Sequence, residues 1–151
     1  MDYLPLIQSD LIKVLKSERL IQAVILTDRT GLVILTASKD ERAGTHAIGL
    51  GALASALFSG MANQGSELLG DLELTISEFA DGKIFLIGTG PKAIMAVIAK
   101  KQASVSRIRR AMKLYSKSIQ QQLATHGPDE ERKSKKIAKD RLSQALDLLD
   151  F

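Results

Sequence analysis

The sequence predicts an α+β fold, a five-stranded antiparallel sheet with helices on both faces, followed by a C-terminal amphipathic helix. Three observations lead there. Five short apolar runs are bounded by turn signals, and three longer stretches repeat apolar residues at three- and four-residue spacing. The links within each group of runs are also too short for parallel crossovers, so neighbours within a group pair as hairpins.

Leu4, Ile7, Leu11 and Leu15, with Val14 beside them, mark the first helix, and Pro5 suits its first turn. Ala23-Val24-Ile25-Leu26-Thr27 and Leu32-Val33-Ile34-Leu35-Thr36 then flank Asp28-Arg29-Thr30-Gly31, a hairpin pattern with a polar turn ending in glycine. Neither run alternates apolar with polar, so both strands are expected to be covered on both faces. Lys39-Asp40-Glu41-Arg42-Ala43-Gly44 reads as a polar loop.

A helix is expected from Ala47 to about Glu67. Thr45 to Ser66 holds no Asp, Glu, Lys or Arg, yet His46, Asn63, Gln64, three Ser and four Gly would sit badly against lipid, so a membrane span is not expected. Leu50, Leu53, Leu57 and Met61 form one stripe; Phe58, Ala47, Gly51 and Ala54 form its neighbour. Ile48, Ala52, Ser55, Ser59 and Ala62 make a strip of mostly small residues. A helix with no charged side has no obvious solvent side, which points to a helix–helix contact beyond the chain's own fold.

Asp71 to Phe79 alternates, placing Leu72, Leu74, Ile76 and Glu78 on one side, as a half-buried edge strand does. Asp81-Gly82 is a tight-turn signal leading into Lys83 to Gly88. Thr89-Gly90-Pro91-Lys92 turns the chain into Ala93 to Ile98, apolar on both faces like a central strand. Ser104 can cap a third helix with Val105, Ile108, Met112, Tyr115, Ile119 and Leu123 along one side and Arg107, Arg109, Arg110, Lys113 and Lys117 elsewhere. Gly127-Pro128 breaks the chain, dividing a domain over 1–124 from an extension over 125–151. Leu142, Leu146 and Leu149 form part of a final amphipathic stripe there.

Composition narrows the function. With 45% apolar and 25% charged residues, the 151-residue chain has the make-up of an ordinary globular protein. Without cysteine there are no disulfides, no thiol nucleophile and no thiolate zinc site, which fits a reducing, cytoplasmic setting. Met1-Asp2-Tyr3 opens directly into amphipathic sequence, so no leader is expected. Residues 104–151 carry 11 Lys/Arg against 6 Asp/Glu, an excess that leaves peripheral contact with anionic lipid through a basic tail open. Nucleic acid is a poor match, because only 4% of residues are aromatic and none interleaves with the basic run.

No catalytic constellation emerges. His46 and His126 stand apart from any metal-ligand spacing, and no serine lies in a G-x-S-x-G frame. Gly49-Leu50-Gly51-Ala52-Leu53-Ala54 matches a dinucleotide fingerprint only in letters, because no strand precedes it. Gly88-Thr89-Gly90-Pro91-Lys92 lacks phosphate-loop spacing, and Pro91 has no N–H to donate. No cofactor is expected, and the protein reads as non-catalytic by itself.

The apolar hairpin turning through Asp28-Arg29-Thr30-Gly31, the uncharged helix from Ala47 to Met61 and the strand pair from Leu86 to Ile98 resemble the dynein light-chain Roadblock family, in particular its prokaryotic, MglB-like members. The resemblance covers about residues 3 to 123 and implies the order α-β-β-α-β-β-β-α. It further implies a homodimer in which two central helices lie together and edge strands join. That places Leu50, Ala54, Leu57, Phe58 and Met61 near the pairing helix and Leu72, Leu74 and Ile76 on the joining strand. A Ras-like small GTPase is the implied partner, bound by a regulator or scaffold that can stimulate GTP hydrolysis, or an adaptor in a motor, membrane or signalling assembly. Leu142, Leu146 and Leu149, with Arg107 and Arg110, are candidate partner contacts.

Overall fold

The computed structural model describes residues 3–125. Helix α1 (Tyr3–Ser17) precedes the hairpin of β1 (Ile21–Asp28) and β2 (Val33–Ser38). Helix α2 (Glu41–Leu69) then leads to β3 (Leu74–Glu78), β4 (Gly82–Gly88) and β5 (Ala93–Lys100). A third helix, α3, covers residues 105–125. The strands form one antiparallel sheet in the order β2-β1-β5-β4-β3. Hairpins supply three of its four pairings. The fourth joins β1 to β5 along nearly their whole length, from Ile21↔Ala99 to Asp28↔Ala93.

The sheet separates two cores. On one side Ile7, Leu11 and Val14 of α1 and Ile108, Met112 and Ile119 of α3 meet Val24, Leu26, Phe85, Met95 and Val97. On the other side Ala47, Ala54 and Phe58 of α2 meet Ala23, Ile25, Ile84, Leu86, Ile94 and Ala96. Each large apolar side chain fully buried here contributes roughly 1.5–3 kcal/mol. Ser104 Oγ accepts a 3.3 Å hydrogen bond from the Arg107 amide, the expected cap of α3. Ser118 Oγ donates to Asp10 Oδ2 at 2.7 Å and ties α3 to α1.

The β1–β2 turn is built around one carboxylate. Asp28 Oδ1 accepts from the Thr30 amide at 2.8 Å, the Thr30 hydroxyl at 2.6 Å and the Leu32 amide at 3.0 Å. Burial pushes the Asp28 carboxyl up, but these hydrogen bonds together outweigh it and hold the group below its ordinary value. Gly31 closes the turn with φ 98°, a left-handed conformation that suits glycine.

Several sequence expectations need correction. Residues 41–44 belong to α2 rather than a loop. The Asp40 carbonyl accepts the Gly44 amide at 3.1 Å, and Glu41 places an acid in the first turn, where the helix dipole favours it. Strand β2 is not covered on both faces: it is an edge, and Ile34 is exposed. The alternation from Asp71 forms a strand only from Leu74, because β4 ends at Gly88, one residue beyond Ile87, the partner of Leu74. Leu72 and Leu74 consequently do not share a side, for Leu72 packs on the α2 core and Leu74 on the α1/α3 core. Finally, the β3–β4 turn does not use Asp81-Gly82 as its central pair. The Phe79 amide donates to the Gly82 carbonyl at 2.7 Å, so Ala80 and Asp81 are central. Gly82 is needed for proximity, since a Cβ there would stand 2.9 Å from the Ala99 carbonyl oxygen.

Candidate interaction surface

One helix cannot cover five strands. A helix with its side chains is about 10 Å wide, whereas five strands spaced about 4.8 Å apart span roughly 20 Å. Two helices share the α1/α3 side of the sheet; α2 lies alone on the other. Alongside it the sheet is partly bare. Two adjoining hollows of about 380 and 420 Å³ share Gln22, Leu50 and Ile98, and the second also borders Phe79 and Ile84.

Helix α2 meets this bare strip with an apolar flank. Its inner side is fixed by Phe58, 1% exposed, and by Gly51, where a Cβ would stand 2.6 Å from Ile25 Cδ1. Its outer stripe is open: Leu53, Leu57 and Met61 are 60%, 64% and 57% exposed, and Leu50 lines both hollows. No charged residue interrupts the helix between Arg42 and Glu67. Gly49 and Gly60 have nothing within 4 Å of where a Cβ would be. By length and hydropathy Gly44–Leu69 could cross a membrane, but its Phe58 side is docked on the sheet. Such a helix is covered on one side only by its own protein.

At the far side of the sheet β3 is an edge, paired only with β4. Ile76 and Phe79 are exposed there, and no lysine or proline guards its free backbone groups. The structure therefore divides the residues singled out from the sequence. Leu50, Leu57 and Met61 lie open on α2, and Ile76 lies open on β3. Ala54 and Phe58 turn inward to the chain's own core, with Leu72 packed against it. Leu74 joins the opposite core. Arg107 and Arg110 are exposed on α3, on the side of the sheet away from α2. Leu142, Leu146 and Leu149 lie outside the described residues. Leu53 and Phe79 are open as well. The stripe spacing in the sequence reaches Leu53, whereas Phe79 depends on the β3–β4 turn, which no local pattern fixes.

A third hollow, about 820 Å³, lies where α2 ends near Asp71, Glu73, the β4–β5 turn and α3. Its charges are mixed, with Arg29, Lys113 and Lys117 facing Asp71 and Glu73. Arg29 is already engaged, its Nη2 donating to the Gly90 carbonyl at 2.6 Å and its guanidinium 6.0 Å from the centre of the Phe58 ring. Among the described residues no group of three or more His, Asp or Glu side chains could hold a metal ion.

The Roadblock/LC7 domain model matches residues 7–99. A search of curated proteins finds no match. Among solved structures, a Roadblock/LC7 domain from Streptomyces avermitilis superposes with TM-score 0.67 at 22% identity, covering 78% of this chain and 97% of its own. Myxococcus xanthus MglB gives TM-score 0.68 at 19% identity, with 79% and 95% covered. An MglB described in a tetrameric arrangement gives 0.66 at 12% identity, with 78% and 88% covered. At these identities the likeness is one of fold.

Proposed function

Because the chain belongs to the Roadblock/LC7 domain family, we propose that it is a self-pairing, non-catalytic platform that binds a Ras-like small GTPase and regulates its nucleotide turnover. One observation carries the reading: the uncharged outer stripe of α2 runs beside a bare strip of sheet. From Leu50 to Met61 this stripe is about 16 Å long. Left in water, such a contiguous apolar surface is a liability, and a second copy of the same helix is a complement of matching length and chemistry.

Edge strand β3 extends the pairing. Side chains opposite one another in an antiparallel pair share a face of the sheet. A two-fold joining β3 to β3 thus sets both α2 helices on one side and both α1/α3 layers on the other. The paired α2 helices then form a broad surface that one copy lacks, and this is where the GTPase is assigned. Among the described residues no cluster of His, Asp or Glu could hold a metal ion there. The chain's effect on GTP hydrolysis would come from ordering the GTPase's own residues.

The test uses the full-length protein and the Ras-like GTPases of its native source, each loaded with GDP or a non-hydrolysable GTP analogue. Tighter binding of the GTP form, with a single-turnover hydrolysis rate that rises with platform concentration, is the expected result. Nucleotide-independent binding would make the protein a tether. No binding in either state would remove the GTPase from the reading.

A further inference from the structure

The positive charge of the C-terminal third lies on α3, not on the tail. Residues 126–151 hold six Lys/Arg and six Asp/Glu, which balance, so the whole excess of residues 104–151 falls on Arg107, Arg109, Arg110, Lys113 and Lys117. No acid occurs between Glu78 and Asp129 other than Asp81, in the β3–β4 turn. All five cations are exposed, Lys113 and Lys117 at the rim of the hollow that also holds Asp71 and Glu73. Helix α1, which packs on the same side of the sheet, adds exposed Lys13 and Lys16. Its one acid, Asp10, is buried and accepts from Ser118, so its carboxylate does not stand on the exposed face. Two leucines stand open on these helices, Leu114 at 60% and Leu6 at 52%. Leu114 sits one helical turn from both Arg110 and Lys117.

We infer that the α1/α3 face docks on an anionic phospholipid surface, with Arg107, Arg109, Arg110, Lys113 and Lys117 against the lipid phosphates and Leu6 and Leu114 entering the headgroup boundary. Exposed leucines among cations, with no acid between them along the helix, are the pattern of an interfacial helix. A phosphate-rich nucleic acid satisfies the cations but gives the leucines nothing. The nearest aromatic, Tyr115, lies partly buried under Lys13, whose Nζ is 6.0 Å from the ring centre, and so is not free to stack on bases. Pairing strengthens the case, and this step rests on the proposed function: joining β3 to β3 sets two such faces side by side, while α2 points away from the lipid, free for a GTPase. Two moderate contacts on one body bind far more tightly than one.

The experiment is co-sedimentation of the full chain with phosphatidylcholine vesicles with and without phosphatidylglycerol. Binding only to the anionic vesicles, weakening steeply with salt, is expected. Arg109→Glu/Arg110→Glu/Lys113→Glu should lower partitioning by roughly 100-fold or more, at about fivefold per cation. Should that variant unfold, the Arg109→Gln/Arg110→Gln/Lys113→Gln protein should show the same direction. Lys133→Glu/Lys135→Glu/Lys136→Glu, in the tail, should retain most binding. Leu57→Glu should weaken vesicle binding without abolishing it, which separates this inference from self-pairing. Equal binding to neutral vesicles, loss through the tail variant alone, or binding to duplex DNA but not to anionic vesicles would each overturn it.

Discussion

A Cβ on Gly31 would stand 2.7 Å from the carbonyl oxygen of Ala52, so the β1–β2 turn rests directly on the backbone of α2. Backbone cannot yield as the tip of a side chain can. Gly31→Ala should therefore cost roughly 2–3 kcal/mol in urea unfolding, combining the clash with the left-handed φ. Gly31→Asn separates the two causes, because asparagine tolerates that φ but still carries a Cβ. The Ala52 contact predicts that Asn recovers little; full recovery would leave only the φ.

The same turn sets a pH dependence. Hydrogen bonds hold the folded carboxyl of Asp28 below its ordinary value of 3.8. The corresponding stability is thus present above the unfolded value and is lost as pH falls through the folded one. Asp28→Asn should be less stable than the parent at neutral pH by a constant margin that narrows in acid. A margin independent of pH down to full protonation would show that the carboxylate charge is not what the turn uses.

The order of elements was legible because each signal was local. Apolar runs, turn residues and a Ser104 cap lie within a few positions of one another. What was not legible was non-local. The apolar faces of Ala93 to Ile98 mark β5 as central, but nothing near Ala23 or Ala96 says that β1 is its neighbour, or that β2 becomes an exposed edge. The α2 stripe announced an uncharged helix but not which residues the sheet would take. Phe58 and Ala54 went inward, while Leu53 and Leu57, equally apolar, stayed open. The start of α2 was missed at Asp40 and Glu41, although a cap followed by an acid is a local signal, because Gly44 and the charges around it read as loop.

Helices α1 and α3 are joined through Asp10 and Ser118. Because Asp10 is buried, removing the hydroxyl leaves its carboxylate short of a donor, and Ser118→Ala should cost about 1–3 kcal/mol. A double-mutant cycle with Asp10→Ala should recover a coupling of about 0.5–3 kcal/mol. Additive losses would mean that the bond contributes nothing specific.

Leu57 and Phe58 are neighbours in sequence with opposite duties. Phe58 is sealed against Ile25, Ile84 and Leu86 in the α2 core, so Phe58→Ala should lose about 3–5 kcal/mol of stability whatever the assembly state. Leu57 is 64% exposed on the outer stripe, and glutamate is a good helix former, so Leu57→Glu should leave the fold of a single chain intact. Its effect belongs to association. Light scattering should give the parent a mass near twice its 16.4 kDa chain and the Leu57→Glu protein a mass near one chain. In a pair, two introduced carboxylates would be buried in an apolar contact, which costs far more than the leucines contribute. A Leu57→Glu protein that remains a dimer would move the pairing surface away from α2, toward the β3 edge alone or the exposed Ile34 edge of β2. A parent that is already monomeric would mean that the α2 stripe is covered by a different chain, and the GTPase would be the first candidate to add.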